Sequence, residues 1–197
     1  LQSFINKTRE GELDLDLCVV LSNKQNAVGL GRARKAGIPT EHVDHNNYTE
    51  RQLFDAALIE TLAPYSPDLI ILAGFMRVLT PIFIKHFAER ILNIHPSLLP
   101  NYQGLNTHQR AIDAGDKWAG STVHFATDEL DAGPMIIQGR VPIEVNDTAE
   151  TLAARVLKVE HQIYPEAAAL LASGRLKYRG GVAYLDDKLL RKPLQYS

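Results

Sequence analysis

The chain has 197 residues, 45% hydrophobic and 22% charged, enough for one domain with a full core; a second domain would have to be small. A net charge of −2 gives no overall attraction to nucleic acid, so a polyanion partner would need a local basic patch. One cysteine, Cys18, excludes a disulfide framework and a cysteine-based zinc cage, and no apolar run approaches the roughly 20 residues of a membrane helix. The default expectation is therefore a cytoplasmic protein, with no membrane and no nucleic-acid partner.

In chain order, "LQSFINKTREGEL" reads as a helix already under way, with Leu1, Phe4 and Ile5 on one face and Gly11 near its end. No Ser, Thr, Asp or Asn stands before it as a cap, which leads to the expectation that upstream residues are missing. "LCVVLS" (17–22) predicts a buried strand containing Cys18, "NAVGLGRARKAG" (26–37) a helix closed by Gly37, and "IPTEHV" (38–43) a short strand. A helix is predicted over 49–65 with Thr49 as its cap, then a strand over 67–74 covered on both faces. "TPIFIKHFAERI" predicts a helix with Thr80 as N-cap and Pro81 at its first position. A strand over 91–95, a loop-rich stretch, a helix near 108–115 and strands over 121–127 and 134–145 follow. The long helix over 148–174 is expected to kink or split at Pro165, and the tail to form a small surface hairpin. This alternation predicts an α/β domain, doubly wound and Rossmann-like, with a mostly parallel sheet and helices on both faces. Ligands of such sheets bind beyond the C-terminal strand ends, where Gly74 and His95 fall.

The stretch "ILNIHPSLLP" concentrates the chemistry. Asn93 and His95 are two apart and share a strand face, and Pro96 ends the strand and keeps His95 extended. "HFATDELDAGP" (124–134) brings His124, Asp128, Glu129 and Asp131 close by; Asp131 is the candidate partner that would favour the charged form of His95. The pair Gly29-x-Gly31 lies inside a helical pattern and lacks the third glycine of a dinucleotide loop, so it is set aside. His95, His108 and His124 show no metal-motif spacing, no GxSxG is present, and no metal is expected. An amide, an imidazole and a carboxylate without a nucleophilic Ser or Cys suit direct acyl transfer to an amine, but they do not name the acyl group.

"NIHPSLLPNYQGLNTH", "LAGFMRVLTP" and "STVHFATDELDAGP" closely resemble the phosphoribosylglycinamide formyltransferases, folate-dependent enzymes of purine biosynthesis. The resemblance runs from Leu1 to about Leu185. It implies formyl transfer from 10-formyltetrahydrofolate to the amine of glycinamide ribonucleotide, with both small molecules as ligands and a monomeric or homodimeric protein. Asn93 then resembles the family's essential asparagine, His95 its proton-shuttling histidine and Asp131 the aspartate that keeps that histidine charged. Met76, Arg77, Val78 and Leu79 match the segment that holds the folate pterin. The stretch Ala126, Thr127, Asp128 through Asp131 matches the opposite wall. Arg51 falls where the family places a cation near the folate tail, and Glu160 matches the acidic residue that contacts the substrate ribose.

Two departures stand beside the resemblance. The resemblance implies an N-terminal strand and a phosphate-binding loop upstream of Leu1, with the strand expected within the sheet and both expected to be missing from this chain. Asn106 stands where many relatives carry His. The rival expectations are a related folate enzyme (a formyltetrahydrofolate hydrolase or a methionyl-tRNA formyltransferase core) and an inactive folate-binding module.

Overall fold

The computed structural model describes residues 1–196. Its helices are α1 (Gln2–Arg9), α2 (Val28–Lys35), α3 (Arg51–Leu62), α4 (Pro81–His86), α5 (Thr107–Asp113) and α6 (Ala149–Ala172). Its strands are β1 (Val20–Ser22), β2 (Thr40–His42), β3 (Ile70–Leu72), β4 (Ile91–His95), β5 (Trp118–Phe125), β6 (Met135–Pro142), β7 (Leu176–Arg179), β8 (Val182–Leu185), β9 (Lys188–Leu189) and β10 (Leu194–Tyr196). The α/β class and the strand–helix alternation are as expected.

The central sheet has five strands in the order β10-β6-β5-β4-β3. It is mixed: β3 runs parallel to β4 and β10 to β6, whereas β5 is antiparallel to both neighbours. The β5–β6 pairing follows from a hairpin, because chain reversal by a loop as short as 126–134 pairs its strands antiparallel. β1 and β2 form a separate parallel pair, and the tail forms a three-stranded antiparallel sheet, β7-β8-β9, rather than a single hairpin. The last segment, β10, returns to the central sheet, a pairing its short sequence did not announce.

α6 packs across β5 and β6 over a core that includes Leu92, Val123, Phe125, Ile136, Ile137, Ile163 and Ala167, each at most 1% exposed. The close approach depends on Gly139, where a Cβ would lie 2.0 Å from Val159 Cγ1. Thr148 caps α6: its hydroxyl accepts from Thr151 N–H, and the Thr151 hydroxyl accepts from Thr148 N–H. Pro165 does not split the helix, which runs as one element of 24 residues. Its ring is buried with Ile163, Tyr164, Ala167 and Ala168, and that packing outweighs the one backbone bond the proline cannot donate.

Tyr164 joins α6 to the sheet. Its hydroxyl reaches Leu72 O on β3 and Leu92 O on β4, both at 2.9 Å. Tyr164→Phe is expected to lower stability by about 1–2 kcal/mol, since two buried carbonyls lose that donor. A urea midpoint that falls with unchanged m would register it.

Three local expectations are corrected. The cap of α3 is Glu50, not Thr49, and its side chain makes no cap bond. The strand predicted over 17–22 forms only at Val20–Ser22, half-buried, and Cys18 is half-buried too. β3 is likewise half-buried rather than covered on both faces. The reason is shared: a cleft of about 450 Å³ lies between the two, lined by residues 16–24 on one side and 69–77 on the other. Gly29 and Gly31 lie within α2, away from any strand-to-helix turn. No described helix is long and apolar enough to cross a membrane.

Candidate active site

β4 carries Asn93 and His95 on one face and meets β5 antiparallel, with Asn93 opposite His124 and His95 opposite Thr122. The β5–β6 register shifts between Val123 and His124, a bulge of the kind that re-aims side chains beside sites. His124 Nε2 lies 3.2 Å from Asn93 Nδ2, while His124 Nδ1 lies 2.9 Å from Phe125 O. A carbonyl only accepts, so Nδ1 carries the hydrogen and Nε2 accepts from the Asn93 amide. That bond fixes which way the amide points and leaves its second N–H and its oxygen for a ligand.

His95 is 6% exposed and Asp131 8%. Asp131 Oδ2 lies 3.3 Å from His95 Nδ1, and Asp131 Oδ1 lies 3.8 Å from His124 Nε2. His95 Nε2 donates to Tyr102 O at 2.9 Å. Both nitrogens of His95 thus face acceptors, the Tyr102 carbonyl on one side and the Asp131 carboxyl group on the other.

Asp131 is held in place by its backbone and by the loop opposite. It adopts the left-handed conformation at φ 51°, and its Oδ2 accepts from Gly104 N–H at 3.0 Å while its carbonyl accepts from Gln103 Nε2. Two residues on, a Cβ at Gly133 would lie 1.8 Å from Phe125 O, so the 126–134 loop follows this path only with glycine there. Thr122 anchors the facing loop: its hydroxyl donates to Ser97 O and accepts from Leu99 N–H.

Glu160, on α6, enters the cluster through Ser121, whose Oγ lies 3.0 Å from Glu160 Oε1 and 2.8 Å from His95 O. Burial pushes the Glu160 carboxyl above its ordinary range; the Ser121 hydrogen bond and the charge of His95 oppose that shift. The arrangement offers amide and imidazole N–H donors for a developing oxyanion, and an imidazole positioned by a carboxyl group to move a proton.

The Formyl transferase family pattern matches residues 1–168. Phosphoribosylglycinamide formyltransferase of Escherichia coli (strain K12) is 45% identical over 190 residues, covering 96% of this chain and 90% of that protein. The chain belongs to the phosphoribosylglycinamide formyltransferase family. It is a transferase of purine biosynthesis. The Coxiella burnetii phosphoribosylglycinamide formyltransferase structure superposes with a TM-score of 0.93 at 45% identity, covering 100% of this chain and 93% of that one. A formyltetrahydrofolate deformylase from Pseudomonas syringae also aligns, with a TM-score of 0.85 at 26% identity, but this chain covers 61% of it.

Within this formyltransferase, Asn93, His95, Asp131 and Glu160 are brought together. The segment 76–79 lies after β3, where Met76 is 77% and Val78 45% exposed, whereas Leu79 is buried in the core. Arg77 places its guanidinium 5.3 Å from the Phe54 ring centroid. Ala126 and Thr127 are half-buried and Asp128 is exposed, at the start of the 126–134 loop. Arg51 is exposed at the first turn of α3, and Asn106 is the residue before α5, in the left-handed conformation at φ 57°. Among the described residues no three His, Cys, Asp or Glu side chains form a group that could hold a metal ion.

Two residues of the cluster escape a reading of the sequence alone. Ser121 looks like any small strand residue, and only its placement beside His95 O gives it a part. His124 is visible as a histidine, but its bond to Asn93 depends on the antiparallel β4–β5 register that sets the two opposite each other.

Burial pushes the His124 imidazole below its ordinary range, with the charge of His95 acting the same way and the bond to Phe125 O and the Asp131 charge opposing. The sign follows. Below about pH 6.5 the unfolded chain protonates this histidine before the folded chain does, so stability falls as pH drops through that range. His124→Gln keeps an acceptor for Asn93 and is expected to flatten this part of the curve. Urea midpoints between pH 5 and 8 compare the two chains; parallel curves would contradict the assignment.

Proposed function

We propose that this chain transfers a formyl group from 10-formyltetrahydrofolate to the primary amine of glycinamide ribonucleotide, with Asn93, His95 and Asp131 as its catalytic residues. The observation that supports it most is the contact set joining the Asn93 amide, the His95 ring and the Asp131 carboxylate on adjacent elements. The amine nitrogen attacks the formyl carbon, forming one C–N bond and moving the carbonyl electron pair to oxygen. The free N–H of Asn93 and an N–H of His95 receive that oxyanion. To reach it, the Nε2–H of His95 leaves Tyr102 O, exchanging one acceptor for another. The oxyanion then reforms the carbonyl, the bond to the folate nitrogen breaks, and that nitrogen gains a proton as the amine loses one. His95 carries the proton between them and Asp131 keeps the ring oriented.

The folate would lie between the 76–79 segment and the start of the 126–134 loop. Exposed Met76 and Val78 supply apolar surface for a flat ring. Glu160 would accept from substrate hydroxyls. The test is product analysis after incubation with both substrates. Formylglycinamide ribonucleotide and tetrahydrofolate are expected in equal amounts. Formate released without regard to the amine would place the chain with the deformylases, and folate binding without turnover would make it a binding module.

A further inference from the structure

The 73–80 segment, between β3 and α4, contains the wall that the proposed function assigns to folate. With Met76 and Val78 exposed, the segment is not held by their burial. It is held from beneath, by α3. Phe75 and Leu79 pack into the cluster of Phe54, Leu58, Leu62 and Phe83. The guanidinium of Arg77 lies over the Phe54 ring. The backbone N–H of Thr80, where the segment ends, donates to Asp55 Oδ2 at 2.6 Å.

Asp55 is the unexpected member of this set. It is 2% exposed, its neighbour in sequence is core Phe54, and it forms no ion pair among the described residues. A carboxyl group in such a place costs stability that an apolar side chain would not. A helix cap alone does not account for it. Thr80 already occupies the N-cap position of α4, yet its side chain makes no cap bond and its Oγ1 is buried without a partner. The fold thus leaves the local cap unused and reaches across 25 residues for a buried carboxyl group instead.

We propose that Asp55 is a positioning residue for folate binding: by fixing the Thr80 N–H it sets the path of residues 76–79. The inference rests on the reading of that segment as the folate wall. The bond is short, and it acts on the backbone, which carries the wall's own hydrogen-bonding groups. Asp55 itself touches no reacting atom.

The experiment measures kcat and both KM values for Asp55→Ala and Asp55→Asn, with thermal unfolding of each. Asp55→Ala is expected to raise KM for 10-formyltetrahydrofolate about tenfold, with kcat and KM for glycinamide ribonucleotide within about twofold. Asp55→Asn, whose amide oxygen still accepts from Thr80, is expected to recover most of that loss. If Asp55→Ala does not fold, Asp55→Ser takes its place. Its hydroxyl can bond a carbonyl one turn back but is too short to serve Thr80 as the carboxyl does, so the same rise is expected. A lower melting temperature with an unchanged folate KM, an equal rise in both KM values, or an Asn variant no better than Ala would each overturn the inference. Wild-type chain that transfers no formyl group would instead overturn the proposed function, so the two failures are separable.

Discussion

Asn93→Ala is expected to lower kcat by roughly 10²–10³-fold with little change in either KM. The amide gives one N–H to His124, which leaves the other for a ligand on the strand face that Asn93 shares with His95. That second N–H has its best acceptor only once the formyl oxygen carries charge, so its loss is felt in the transition state rather than on binding. Asn93→Asp is expected to be no better than Ala. It removes both N–H donors and places a second carboxylate near Asp131, against the charge that develops. Steady-state kinetics over both substrates distinguish these cases. A variant with raised KM and normal kcat would show that Asn93 binds substrate and does no more.

The second large effect lies off the chemistry, at Gly133. A methyl group 1.8 Å from Phe125 O has no room, and the atom it meets is backbone, so the 126–134 loop itself must move. Overpacking of this kind costs about 1–3 kcal/mol, which for a chain of this length corresponds to roughly 3–10 °C in Tm. Activity is expected to suffer more than stability does. Asp131 is two residues away, held at φ 51° by contacts from Gly104 and Gln103. A displacement of about 1 Å there separates it from His95, and misplacement on that scale costs on the order of 10²-fold in rate. Gly133→Ala should therefore fold and yet turn over poorly. Thermal unfolding beside kcat tests this, and normal kcat in the folded variant would refute it.

What could be read in advance follows from the range of the interactions involved. Asn93 and His95 were legible because the strand period places them on one face whatever else the chain does. Asp131 was legible as a carboxylate next to a Gly-Pro turn. The α/β class came from the alternation of apolar runs with helical patterns. The parts that required the structure are the long-range ones. β10 pairs with β6 across more than fifty residues, and three residues of tail carry no sign of a partner. Pro165 signalled a break because local propensity favours one, while packing of α6 on the sheet decided otherwise. The register that sets His124 opposite Asn93, and the reach of Asp55 to Thr80, are each settled by two segments meeting, and neither segment shows it alone.

The measurement that bears most directly on the catalytic assignment is the single-turnover rate of formyl transfer by His95→Ala, with bound folate measured in parallel and circular dichroism confirming the fold. A loss of roughly 10²–10⁴-fold is predicted, with folate binding retained, because His95 serves both as oxyanion donor and as proton carrier. A folded variant that transfers formyl at the wild-type rate would show that the catalytic centre lies elsewhere.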